Sequence, residues 1–178
     1  MREIEAKYRV RDLGAVLAAL REAGVTMGEP VHQDDLAYAP PGWDPGQGKR
    51  GFTFARLRTE NGAHTVTTKT PLANAMECVE HETAVADREG VHGVLTSLGY
   101  VPSVRIVKSR RTGRSGTIGV CVDDVRGAGV FVELEALVDD DRDGRTVQEG
   151  LDAWARGLGA DLERITETYD VLVRPVPA

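Results

Sequence analysis

Strand side chains alternate between two faces, so residues two apart share a face. In this chain almost every stretch with strand character keeps its charges on one face only. Near the start Glu3, Glu5 and Lys7 share a face, opposite Ile4, Ala6 and Tyr8. Arg56 and Arg58 share another, opposite Ala55 and Leu57, and Lys69 follows Thr65 and Thr67 on the next. Glu80 and Glu82 pair in the same way, as do Lys108 and Arg110. Asp123 stands opposite Val122, and Glu133 and Glu135 stand opposite Val132, Leu134 and Ala136.

Any one such strand reads as two-sided, apolar inward and charged toward water. Taken together the strands read differently, because the charges come as pairs of carboxylates or pairs of cations rather than as a mixed polar face. A closed barrel accommodates them if helices and loops cover an apolar outside while the charged faces line a wet interior where opposite charges meet. Eight strands are expected, at about residues 2–10, 30–38, 50–59, 63–70, 77–86, 101–111, 116–124 and 130–139. Glu60-Asn61-Gly62 and the run from Gly113 to Gly116 are turn signals that suit antiparallel hairpins.

Residues 3–24 and 80–99 echo each other, each passing from acidic alternation into an Asp-initiated helix. Asp12 precedes Leu13, Val16, Leu17 and Leu20 before Gly24, and Asp87 precedes Val91, Val94, Leu95 and Leu98 before Gly99. A third helix is expected from the capping box Thr146 and Glu149, followed by Leu151, Trp154 and Leu158. Pro40 to Gly51 is rich in Pro and Gly and reads as a surface loop, a flap at a site entrance, with Trp43 as its anchor. The fold class is therefore α+β, a closed eight-stranded antiparallel barrel with helices packed outside, formed by one domain over 1–178.

Bulk properties narrow the function. A formal charge of −6 argues against a nucleic-acid surface, so an anionic ligand must meet a local basic site. No apolar run approaches the roughly 18 residues of a membrane span, and a cytoplasmic protein is expected. Cys78 and Cys121 lack a metal or disulfide pattern and are expected as small core residues. His32, His64, His81 and His92 have no ligand spacing. A lumen with a basic wall and an acidic wall suits a polyphosphate: Lys and Arg bind its oxygens, and a hard divalent cation bridges the same oxygens to carboxylates.

The ordered set EIEAK at Glu3, Glu5 and Lys7, RLR at Arg56 and Arg58, TTKTP around Lys69, VEHE at Glu80 and Glu82, VKSR at Lys108 and Arg110, VDDVRGAGVFVELE from Asp123 to Glu135, and ETYDVL around Tyr169 resembles the CYTH family, the triphosphate tunnel metalloenzymes. It covers almost the whole chain. The family includes class IV adenylate cyclases and thiamine and inorganic triphosphatases. The resemblance implies Mg²⁺ or Mn²⁺ ligands at Glu3, Glu5, Glu133 and Glu135, aided by Asp123. It implies phosphate-binding residues at Lys7, Arg56, Arg58, Lys69, Lys108 and Arg110. Glu80 and Glu82 either join the metal side or orient the cations. Lys7 or Lys69, crowded by other cations, is expected to have a lowered pKa and to act as general base.

Two departures stand out. Ala37 occupies a position where many members have tyrosine, and Tyr38, one step later, is expected to face away from the lumen. Cys78 stands where an arginine often precedes the Glu-x-Glu pair. The expected substrate is ATP, converted to cyclic AMP and pyrophosphate. The alternatives are hydrolysis of tripolyphosphate, thiamine triphosphate or a nucleoside triphosphate, and non-catalytic binding of a phosphorylated ligand. The sequence is compatible with a homodimer.

Overall fold

In a computed structural model of the protein, which describes residues 2–173, the alternating stretches close into a ring. The strands are β1 (Arg2–Val10), β2 (Val31–Ala39), β3 (Phe54–Glu60), β4 (Ala63–Pro71), β5 (Glu77–Val85), β6 (Val101–Ser115), β7 (Ile118–Val125) and β8 (Gly129–Val138). They run antiparallel in the order β5-β4-β3-β2-β6-β7-β8-β1. The ring closes through a seam of two residue pairs, Glu3 opposite Cys78 and Ile4 opposite Glu77. Beyond that short seam β5 ends, and the second half of β1 takes a different partner. This is β9 (Leu162–Ile165), paired with Lys7 to Val10. Its four residues are too few to display an alternation, which is why the sequence did not announce it.

The helices α1 (Leu13–Glu22) and α2 (Arg88–Ser97) begin as expected. The Asp12 and Asp87 carboxylates each accept a bond from the backbone N–H three residues on, at 3.0 Å. They end before Gly24 and Gly99, at φ +80 and +88, a conformation that costs a side chain but not a glycine. The start of α3 (Gly144–Gly157) corrects the expected capping box. Asp143 is the cap, accepting from both the amide and the hydroxyl of Thr146 at 3.0 and 2.6 Å. A carboxylate offers more acceptor positions than a threonine hydroxyl, so it captures the exposed amides. Glu149 pairs with Arg145 one turn away instead.

Outside the barrel, the even residues of β1, β7 and β8 pack under α1 and α3: Ile4, Ala6, Tyr8, Val120, Val122, Val132 and Leu134 against Val16, Leu20, Leu151 and Ala155. A second cluster, Tyr38, Ala55, Leu57 and Leu95, lies under α2. Tyr38 thus faces away from the lumen, as expected, and its hydroxyl meets His92 Nδ1 at 2.8 Å. A third cluster, Ile106, Val125, Phe131 and Tyr169, fills one end of the lumen, where the short helix α4 (Tyr169–Leu172) crosses it.

The Pro/Gly segment is a loop, and β3 starts at Phe54 rather than near residue 50. Trp43 anchors it, donating to the Gly48 carbonyl at 2.6 Å and meeting Phe54 edge-on with centroids 5.0 Å apart. β6 continues to Ser115 because Gly113 lets it pass the segment after α1. A Cβ there would lie 2.6 Å from Met27 Sδ and 2.9 Å from the Thr26 carbonyl. Among the described residues no helix is long and apolar enough to cross a membrane.

Candidate functional site

The odd residues of β1 and their counterparts on the other strands line the lumen, and the charges found by alternation all meet there. Lys69 Nζ lies 2.9 Å from Glu3 and 2.6 Å from Glu80. Lys7 lies 3.1 Å from Glu133 and 3.3 Å from Glu5. Arg110 grips Asp123 with two N–H groups at 2.7 and 2.6 Å, touches Glu133 and reaches Glu135 at 3.6 Å. Lys108 shares Asp123 at 2.8 Å. Arg56 donates to Thr67 at 3.0 Å and to Glu82 at 3.3 Å, with Glu80 at 3.7 Å. Glu80 and Glu82 thus lie against Lys69 and Arg56, the contacts that the second of the two roles considered for them requires.

Burial in such a lumen penalises every charge, so the neighbours decide which groups stay ionised. Burial acts to lower the pKa of Lys7 and Lys69, yet Glu5 and Glu133 hold the first up and Glu3 and Glu80 the second. The expected lowering is corrected: carboxylates, not cations, crowd these two lysines. The depressed lysine is Lys108, through burial and then the Arg110 guanidinium. Burial would raise Glu133, but Lys7, Arg110 and Lys108 hold it well below the carboxylate range. Glu5 is pushed up to about 7 by burial and then by Glu133, and burial likewise raises Glu135.

Glu5 and Glu135 stand directly opposite each other in the β1/β8 register, an arrangement of like charges that destabilises a sheet. Glu5 Oε1 is buried with no directed hydrogen bond; Lys7 sits at ion-pairing distance but out of alignment. Among the described residues no three acidic, His or Cys groups form a ready metal cage, because Lys7, Lys69 and Arg110 occupy the carboxylates. The donor set still fits a hard divalent cation: four carboxylates on two adjacent strands, one with a buried oxygen that only the misaligned Lys7 contact serves. Asp123 does not fit that role. It is fully buried and is taken by Lys108, Arg110 and the Tyr169 hydroxyl, the last at 2.9 Å, so it organises the basic wall.

Residues 1–169 match the model of the CYTH domain. The chain belongs to the CYTH family. A Methanocaldococcus jannaschii protein described as a candidate adenylate cyclase is 28% identical over 144 residues, 79% of each chain. The CYTH barrel itself recurs in the solved structure of a candidate adenylate cyclase from Vibrio parahaemolyticus, with TM-score 0.79, 22% identity and coverage of 96% of this chain and 97% of that one. It recurs also in HpAC1 of Hippeastrum, a candidate adenylyl cyclase described as having a dominant triphosphatase activity, with TM-score 0.66, 15% identity and coverage of 97% and 95%.

Several residues of this CYTH lumen make contacts that the sequence reading did not assign to them. Asp35, on the same face as Gln33, holds Arg58 bidentately at 2.7 Å for both bonds, and the alternation of β2 could have exposed it. The Tyr169 ring lies under two ammonium groups, 4.1 Å from Lys7 and 4.8 Å from Lys108; no local pattern marks that. Cys78 and Cys121 are buried free thiols as expected, but on the lumen wall. Cys121 Sγ is 3.7 Å from Glu135, and Cys78 lines the cavity with Lys69.

Proposed function

We propose that this CYTH protein is a divalent-metal-dependent enzyme that takes ATP into the lumen and forms cyclic AMP, releasing pyrophosphate. The observation that carries this reading is the division of one cavity. Ala37, Phe54, Pro71, Ala75 and Met76 form an apolar stretch of its wall, and Arg56, Lys69, Lys108 and Arg110 a cationic one. Inorganic polyphosphate would use only the second; a nucleoside triphosphate uses both. The names of the Methanocaldococcus and Vibrio relatives support it.

Glu3, Glu5, Glu133 and Glu135 would hold Mg²⁺ or Mn²⁺, which supplies polarisation of the reacting phosphoryl group when bound. Arg56, Arg58, Lys7, Lys69, Lys108 and Arg110 bind the phosphate oxygens. Lys7 and Lys69, kept protonated by their carboxylates, stabilise the charge that develops on those oxygens rather than accept a proton. Asp35 and Asp123 aim the guanidinium groups of Arg58 and Arg110. The apolar wall seats the nucleoside so that its ribose 3′-hydroxyl, not water, meets the α-phosphorus. The new bond joins the 3′-oxygen to the α-phosphorus, the bond from that phosphorus to the α–β bridging oxygen breaks with pyrophosphate as the leaving group, and the hydroxyl proton passes to solvent water.

The second reading is hydrolysis of a triphosphate, favoured by the activity described for the Hippeastrum neighbour. Purified protein incubated with ATP, tripolyphosphate or thiamine triphosphate, each with Mg²⁺ or Mn²⁺, separates the two. Cyclic AMP and pyrophosphate from ATP alone is the expected result. Orthophosphate from any of the three without cyclic AMP would replace cyclisation by hydrolysis, and turnover of none with tight binding would mark a binder.

A further inference from the structure

Lys49 belongs to the loop between β2 and β3, yet its ammonium group reaches the cavity that Lys69 and Lys108 line. It donates to Asp170 at 2.5 Å and to the Thr168 hydroxyl at 2.7 Å, both at the C-terminal end of the described chain. It also lies 5.3 Å from the Phe54 ring centroid, and Phe54 stands directly opposite Lys69 in the β3/β4 register. The side chains of Lys49 and Asp170 are 17% and 14% exposed. The six cations assigned to phosphate all come from strands, and each is matched to a lumen carboxylate. Lys49 is a sixth cation of the same cavity, beside Lys7, Arg56, Lys69, Lys108 and Arg110, carried by a loop and matched to a carboxylate on a different segment.

We propose that Lys49 is a further substrate-binding residue that exchanges partners, resting on Asp170 and turning onto a phosphate oxygen when a triphosphate is bound. The proposal rests on the triphosphate reading above. Three physical facts favour the exchange. An ammonium is a compact point charge on a flexible four-carbon stem, able to swing where a guanidinium fork would be committed. The Lys49–Asp170 pair is mostly buried, so the cost of desolvating both ions offsets much of their attraction and leaves a small net hold on the lysine. A polyphosphate carries several charges against the single one of Asp170, so it wins the lysine in a lumen of low dielectric. Because loop and C-terminal segment meet through this pair, the exchange also transfers the loop from α4 to the ligand.

A purely structural latch makes a different prediction, since removing either partner would then have the same effect. The test is calorimetric titration with inorganic tripolyphosphate, with and without Mg²⁺, on the unmodified chain, Lys49→Met and Asp170→Asn. Lys49→Met is expected to weaken binding about tenfold, the loss of one charge-assisted hydrogen bond. Asp170→Asn, which removes the competing negative charge, is expected to tighten binding about threefold. Parallel losses in both variants, or an unchanged affinity in Lys49→Met, overturn the exchange while leaving the triphosphate reading intact. Should Lys49→Met fail to fold, Asp170→Asn decides alone, and unchanged or weaker binding overturns the proposal. No tripolyphosphate binding by the unmodified chain overturns the triphosphate reading itself, and this proposal with it.

Discussion

Glu5 and Glu135 are direct partners in the register of β1 and β8, and both carboxyls are shifted up, chiefly by burial. Two carboxylates so placed prefer that one keep its proton or that a cation join them. That preference makes the acidic wall a proton store and gives it a measurable pH dependence.

The Glu5 carboxyl titrates near 7 in the folded chain against an ordinary value of 4.5. The folded state therefore binds the proton more tightly than the unfolded one. Its contribution is fully present below 4.5 and is lost as pH rises to 7, with a slope of at most about 1.4 kcal/mol per pH unit. In EDTA, the melting temperature is expected to fall as pH rises through that window, and Glu5→Gln to flatten the fall. An identical slope in the variant would remove Glu5 as its source.

A divalent cation should take the place of that proton. Mg²⁺ affinity, followed by calorimetry in buffers of different ionisation enthalpy, is expected to rise up to about tenfold per pH unit below 7, with proton release on binding. Above 7 the dependence should level off. Binding without proton release at pH 6 would place the ion elsewhere.

Glu135→Ala and Arg56→Ala probe opposite walls of one lumen. Each is expected to lower turnover of the triphosphate substrate by about 10²-fold or more, the scale on which a positioned charge contributes to a transition state. Glu135→Ala should weaken Mg²⁺ binding and Arg56→Ala should not. Full activity in both would remove the lumen from the chemistry.

Asp123 is bound by two cations and a phenol while fully buried. Asp123→Ala leaves Lys108 and Arg110 in the lumen without their common partner and should cost about 3–5 kcal/mol in denaturant unfolding. Tyr169→Phe removes a single hydrogen bond and should cost about 1 kcal/mol. Similar costs for the two would mean that Asp123 is not the organiser of the basic wall.

Tyr38 supplies the contrast. It touches His92 and the α2 cluster outside the barrel, so Tyr38→Phe should lower stability by about 1 kcal/mol and leave tripolyphosphate affinity unchanged. A changed affinity would return Tyr38 to the lumen.

The sequence by itself determined which residues share a face, because that depends only on the two-residue repeat of a strand. Glu3, Glu5, Lys7, Arg56, Arg58, Lys69, Lys108, Arg110, Glu133 and Glu135 were legible as lumen residues for that reason, as were the Asp12 and Asp87 helix starts. Only the tertiary structure decided what each charge meets. Lys7 and Lys69 were expected among cations and lie among carboxylates, so their pKa values move up rather than down. Asp123, legible as acidic, became an anchor for cations once Lys108, Arg110 and Tyr169 converged on it from β6 and α4. Lys49 and Asp170, 121 residues apart, share no local pattern at all. Electrostatic energy depends on distance through space and on burial, and neither is set until the barrel closes.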